Sequence, residues 1–191
     1  MPAQSIPTQT FASARAWETW LAKNYNKPGG IWMMFAKKNA PKPTVTYAEA
    51  LDVALCYGWI DGQKNAYDEE YWLQKFVPRR ANSIWSKRNI QHTERLIKEG
   101  RMQPAGLKAI EAAKAGGNWS AAYDAQSNME IPADFLKALQ KNKKADAFFK
   151  TLNRTNLFSI AFRLQTAKKE ETKQKRIKSI IEMLERGEKF H

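Results

Sequence analysis

Thr46-Tyr47-Ala48-Glu49 opens the stretch that decides the fold. It continues through Gly58 into Trp59-Ile60-Asp61-Gly62-Gln63 and then Glu70-Tyr71-Trp72-Leu73-Gln74-Lys75-Phe76-Val77-Pro78. Thr46 and Glu49 have capping-box spacing, in which each side chain satisfies a backbone N–H that helix geometry leaves without a partner. Tyr47, Ala50, Leu51, Ala54 and Leu55 share one face at helical spacing, and Gly58 suits the left-handed position just past a helix end. Residues 70–77 are rich in strand formers, and Pro78 cannot continue a ladder. The pattern predicts a helix followed by a hairpin between about 60–66 and 70–77, turning at Tyr67-Asp68-Glu69.

Working outward, Ser13 caps an earlier helix bearing Trp17, Trp20 and Leu21, and Pro28-Gly29-Gly30 turns the chain. Ile31-Trp32-Met33-Met34-Phe35-Ala36 reads as a buried strand. The first 80 residues therefore predict an α+β fold: a small, mostly antiparallel three-stranded sheet packed with helices. Everything beyond reads as helical. Ser83 or Ser86 caps a helix stopped by Gly100, Pro104 starts one closed by Gly116-Gly117, and Pro132 begins a series ending with Ile177, Ile180, Ile181 and Leu184. The expected organisation is an N-terminal α+β domain with a helical extension over 1–116, a linker over 117–131 and a helical C-terminal module over 132–191. Trp17, Trp20, Trp32, Trp59 and Trp72 are expected to build the core.

Charge is the first pointer to function. The 191 residues carry 32 basic and 19 acidic groups, a net of +13. Lys137 to Lys178 alone holds 13 basic residues opposed by Asp146, Glu170 and Glu171. Such an excess attracts anions and polyanions through its summed field. Other classes are excluded or unsupported. Cys56 is the only cysteine, so no intrachain disulfide forms, and with His92 and His191 far apart no Cys/His zinc site is expected. No apolar run approaches the roughly 18 residues that mark a membrane span, and Met1–Thr10 lacks a signal-peptide pattern, so a cytoplasmic chain without membrane insertion is expected. There is no Gly-x-Ser-x-Gly elbow to support a hydrolase built on Ser86 and His92, and no phosphate-binding glycine loop. No catalytic residue, metal or cofactor is assigned.

Two stretches carry a family resemblance. The first runs from Cys56-Tyr57-Gly58-Trp59-Ile60-Asp61-Gly62-Gln63 through Phe76-Val77-Pro78-Arg79-Arg80-Ala81-Asn82-Ser83-Ile84-Trp85-Ser86-Lys87-Arg88-Asn89 to Gly100-Arg101-Met102-Gln103-Pro104-Ala105-Gly106-Leu107. The second is Ala167-Lys168-Lys169-Glu170-Glu171-Thr172-Lys173-Gln174-Lys175-Arg176-Ile177. Over roughly 11–187 the chain resembles the YdeI/OmpD-associated, bacteriocin-protection proteins. The resemblance implies a bacterial stress-linked protein and implies no reaction; association with a porin is implied by the family name alone.

Three places are candidate sites. Arg79, Arg80, Ser83, Trp85, Ser86 and Lys87 combine cations, capping serines and an aromatic ring at a strand-to-helix junction, a ready arrangement for an anion, with Trp85 as a stacking surface. The alternative there is that the serines only cap and Trp85 only packs. Trp59, Asp61 and Gln63 form the second place. Asp61 there serves either as an acceptor in an enzymatic pocket or as turn chemistry beside Gly62. The third is Lys168, Lys169, Lys173, Lys175 and Arg176, either a nucleic-acid surface or a solvated helix face. The leading expectation is a non-enzymatic protein binding an unknown anionic ligand at the Arg79–Lys87 junction, with nucleic-acid binding and an Asp61 enzyme as alternatives.

Overall fold

Alternation along β2 (Ile31–Ala36) sets the sheet: Ile31, Met33 and Phe35 are buried, while Trp32, Met34 and Ala36 are half-buried. The computed structural model describes residues 6–123, 130–167 and 169–190. β2 pairs antiparallel with β4 (Tyr71–Pro78), placing Ile31 opposite Phe76 and Met33 opposite Gln74. β4 pairs in turn with β3 (Trp59–Ala66), completing the expected hairpin. The sheet has a fourth member that the sequence reading lacks. β1 (Thr8–Gln9) lies parallel to β2, Thr8 opposite Trp32, and the strand order is β1-β2-β4-β3. A two-residue strand has no periodicity to read; it is defined by pairing alone, with the Trp32 N–H donating to Pro7 O at 2.9 Å as the chain approaches it.

The register between β3 and β4 shifts between Asp61 and Lys64, leaving Gly62 and Gln63 as an irregularity opposite Lys75. The buried Gln74 compensates: its amide donates to Gly62 O at 2.9 Å and to Gln63 O at 3.2 Å. One side chain thus supplies hydrogen bonds that the interrupted ladder does not.

Helices cover one face of the sheet. α1 (Ala14–Asn24) starts at Ser13, whose hydroxyl accepts from the Ala16 N–H. α2 (Tyr47–Cys56) has the full capping box, the Glu49 N–H donating to Thr46 Oγ1 and the Thr46 N–H to Glu49 Oε2. Between them lies an aromatic core. Trp17 is fully buried, 5.0 Å from Phe11, 5.3 Å from Trp20, 5.8 Å from Phe76 and 6.2 Å from Trp59 between ring centroids. Its indole N–H donates to Ala50 O at 3.1 Å, fastening α1 to α2. Of the five tryptophans expected in the core, Trp17 and Trp59 are fully buried; Trp20, Trp32 and Trp72 are half-buried. Trp32 alternates onto the face of β2 opposite the helices, as strand geometry requires.

Gly58, at φ 73°, ends α2 as expected. α3 (Lys87–Lys98) and α4 (Pro104–Ala115) follow, and α4 packs on the end of α2 at Gly106. A Cβ on Gly106 would stand 2.2 Å from the Cys56 carbonyl oxygen, so only glycine permits this approach. The Gln103 N–H donates to that same oxygen at 3.1 Å.

By clustering of its contacts the chain divides into two compact units, Met1–Ser120 and Ala121–His191. Residues 124–129 of the expected linker lie outside the described residues. The second unit comprises α5 (Ala133–Leu139), α6 (Lys143–Phe149), α7 (Arg154–Gln165) and α8 (Glu170–Glu185) around Phe135, Leu139, Ile160, Leu164, Ile177, Ile180 and Leu184. Its last turn folds back on α7: the buried Asn156 amide donates to Phe190 O at 2.7 Å, and the Arg163 guanidinium lies 4.1 Å from the Phe190 ring centroid. The architecture is mixed α+β. Among the described residues no helix is long and apolar enough to cross a membrane.

Candidate functional site

Where Pro78 ends β4, the chain is gripped at once. The Arg79 N–H donates to Gly58 O at 2.9 Å, tying the strand exit to the turn after α2. The Arg79 guanidinium lies 3.7 Å from the centroid of Trp85, Trp85 packs on Trp119 at 4.9 Å, and the Lys114 ammonium is 5.3 Å from Trp119. Cation, ring, ring and cation form a row, each attracted by the quadrupole of its neighbour. Arg79 is therefore held in one orientation before any ligand arrives. Arg80 is exposed; its N–H donates to Ser83 Oγ at 3.1 Å, while the Ser83 N–H donates to Arg80 O at 2.9 Å, closing a turn.

Two cavities meet at Pro78, Arg79 and Arg80. The smaller, about 260 Å³, is lined by Tyr25, Tyr57, Trp59 and Trp85 and by Ala105, Lys108, Ala109 and Ala112 of α4. The larger, about 800 Å³, is lined by Pro28, Gly29, Gln63, Lys75 and Ser83 among others. Four cations, Lys75, Arg79, Arg80 and Lys108, line these spaces, and no carboxylate lines them among the described residues. Concave walls lined by several cations concentrate anions.

The predicted site residues divide accordingly. Arg79, Arg80, Trp59 and Trp85 meet at the smaller cavity, and Gln63 and Ser83 join Arg79 and Arg80 at the larger. Trp85 is 2% exposed with its ring taken by Arg79, so it orients the arginine and offers little face for stacking. Ser86 caps α3, accepting from the Asn89 N–H at 3.1 Å, and the exposed Lys87 lines neither cavity. Asp61 turns toward α2, accepts from the Tyr47 hydroxyl at 2.8 Å and lines neither cavity. Sequence reasoning missed Tyr25, Tyr57, Lys75 and Lys108. A signal was present for part of this set: Ala105, Lys108, Ala109 and Ala112 recur at i, i+3, i+4 and i+7, a flat face with one cation. Burial, with Glu18 nearby, pushes the Tyr57 phenol above its ordinary value, so it stays protonated.

A second polar cluster joins α2 to α3. His92 Nδ1 lies 2.9 Å from Asp52 Oδ1, and Arg95 Nη2 donates to Asp52 Oδ2 at 2.5 Å. Burial pushes the Asp52 carboxyl up, but the hydrogen bonds from Arg95 and His92 outweigh it and hold the group below the ordinary aspartate range. A carboxylate lowered by folding contributes stability above its unfolded value, and that contribution is lost as pH falls through the folded value. Asp52→Asn should therefore cost about 1–2 kcal/mol at pH 7. It should also make the thermal midpoint fall less steeply than wild type between about pH 4 and 3. Parallel midpoint curves for the two proteins would show that the cluster carries no such linkage. Cys56 lies close to this cluster, yet burial pushes its thiol up to about 11, so it is not a thiolate nucleophile at neutral pH.

Of the five basic C-terminal candidates, Lys173, Lys175 and Arg176 have partners among the described residues. Lys168 lies outside the described residues, and Lys169 is exposed at the start of α8. Lys173 pairs with Asp134, Lys175 with Glu171 at 2.6 Å, and Arg176 donates to Arg163 O at 2.5 Å, satisfying a carbonyl at the end of α7. Among the described residues no group of three His, Cys, Asp or Glu side chains is placed to hold a metal ion.

Comparison with known proteins divides along the chain. Residues 9–109 match a domain of unknown function (DUF8412), and residues 128–187 match the family described as bacteriocin-protection, YdeI or OmpD-associated. The family expectation thus holds on the C-terminal stretch, while the block from Cys56 to Leu107 falls within the other match. No curated protein and no solved structure matches the chain. With more than half of its residues covered by the first match, the protein belongs to the family of that domain of unknown function, and the stretch behind it is similar to the bacteriocin-protection, YdeI or OmpD-associated family.

Proposed function

We propose that this is a non-enzymatic, stress-associated bacterial protein of the bacteriocin-protection type, acting in the cytoplasm, that binds an anionic ligand at the Arg79–Arg80 cleft. The observation that carries the reading is the convergence of Arg79, Arg80, Lys75 and Lys108 on joined cavities that no carboxylate lines among the described residues. The fixed orientation of Arg79 adds to it, because a charge already ordered loses little further freedom on binding. Neither a histidine nor a carboxylate lines the same space among the described residues, which supports binding over acid–base catalysis.

Thermal unfolding with inorganic phosphate, pyrophosphate and citrate tests this. At a hundredfold excess over Kd a ligand adds about 2.7 kcal/mol, a shift of several degrees. The expected result is such a shift in wild type and its loss in the Arg79→Ala, Arg80→Ala double variant. Arg80→Ala alone, at an exposed position, should keep the wild-type midpoint without ligand and lose most of the shift. If none of the three anions moves the wild-type midpoint, the reading fails.

A further inference from the structure

The smaller cavity has features that a bare anion would not use. Its volume of about 260 Å³ lies just below the usual range of roughly 300–1,000 Å³ for sites that take drug-sized molecules, which suits a single ring system. One wall is aromatic. Tyr25 is 42% exposed although its ring centroid lies 6.2 Å from that of Tyr57, and its backbone is pinned by the Trp59 indole N–H, which donates to Tyr25 O at 2.8 Å. The alanine face of α4, whose close approach to the end of α2 Gly106 permits, lines the same space. The cavity thus offers two tyrosine rings and small methyl groups. Arg79, Arg80 and Lys108 line the same space.

Charge and ring surface are supplied by separate groups. The guanidinium of Arg79 already lies over Trp85, so its role toward a ligand is that of a fixed positive charge. Stacking falls to Tyr25 and Tyr57.

Building on the anion-binding reading, we infer that the cleft takes a phosphate bearing a planar ring, the chemistry of a nucleoside phosphate. The ring lies in the smaller cavity with the tyrosines and α4, and the phosphate sits where the two cavities meet at Arg79 and Arg80. The phosphate-side cavity, lined also by Lys75 and Gln63, is the larger at about 800 Å³, so the phosphate is able to carry a further substituent. A free mononucleotide and the phosphorylated end of a single strand offer the same two groups.

Calorimetric titration of the full chain with AMP, CMP, ribose 5-phosphate and pyrophosphate reads the two contributions separately. Loss of one base–aromatic contact is typically worth a factor of about 5 to 150. The nucleotides should bind at least about fivefold tighter than ribose 5-phosphate. Tyr25→Ala should collapse that ratio toward one, and Tyr25→Phe, which keeps the ring, should preserve it. Equal affinity for AMP and ribose 5-phosphate would overturn the ring site and leave anion binding standing. Absence of heat with every probe, pyrophosphate included, from folded protein would overturn both. A 5′-phosphorylated tetrathymidylate then separates the sources: binding tighter than that of thymidine monophosphate assigns a strand end, and weaker binding assigns the free nucleotide.

Discussion

Replacing Gly106 with alanine should destabilise the protein by about 2–4 kcal/mol, although alanine is the better helix former. Propensity alone predicts the opposite sign, since glycine inside a helix costs roughly 0.5–1 kcal/mol relative to alanine. Contact geometry decides. The new Cβ would stand 2.2 Å from the Cys56 carbonyl oxygen and 2.8 Å from its carbonyl carbon, and neither belongs to a flexible side chain that could swing aside. α4 must lift from α2, weakening the bond from the Gln103 N–H to Cys56 O. It would also move Ala105, Lys108 and Ala109, which line the cleft. Urea titration should show a lower midpoint, and the surviving folded protein should bind anions more weakly. A midpoint raised by the substitution would mean that the helices are not in contact here.

Trp17→Ala is the other large effect, an expected loss of about 3–5 kcal/mol. Trp17 is fully buried, packs on Phe11, Trp20, Trp59 and Phe76, and leaves Ala50 O without its donor when removed. Two costs add: an unfilled volume that a close-packed core cannot collapse around, and a buried carbonyl deprived of its indole partner. Trp17→Phe separates them, since it keeps most of the ring and loses the N–H; it should recover more than half of the loss. The readout is the urea midpoint followed by far-ultraviolet circular dichroism, which does not depend on the removed chromophore. Equal losses in both variants would assign the cost to the hydrogen bond and not to packing.

The legible parts of this fold are those whose cause is local. Ser13, the Thr46–Glu49 box, Gly58 and Pro104 act within a few residues of themselves, and each lies at the predicted helix boundary. The hairpin was readable because strand formers and Pro78 delimit it. β1 was not, because two residues acquire strand geometry only from the partner beside them. The cleft was half legible. Arg79 and Arg80 stood out as adjacent cations, but Tyr25 and Tyr57 each look like an ordinary helix end, and only tertiary packing brings their tilted rings within 6.2 Å. Trp85 shows the reverse failure: an aromatic ring beside cations reads as a free platform, and the nearest cation occupies it. Asp52 and His92 are 40 positions apart, beyond any spacing rule.

The irregularity at Gly62 and Gln63 has a consequence for how the molecules behave in a crowd. β3 is the outermost strand in the order β1-β2-β4-β3, and an outer strand with a regular row of donors and acceptors invites a neighbour's strand to zip onto it. Here the row is broken where Gln74 has drawn two of its carbonyls inward, and Lys64 follows immediately. The same side chain that completes the core thus spoils the template for edge-to-edge association.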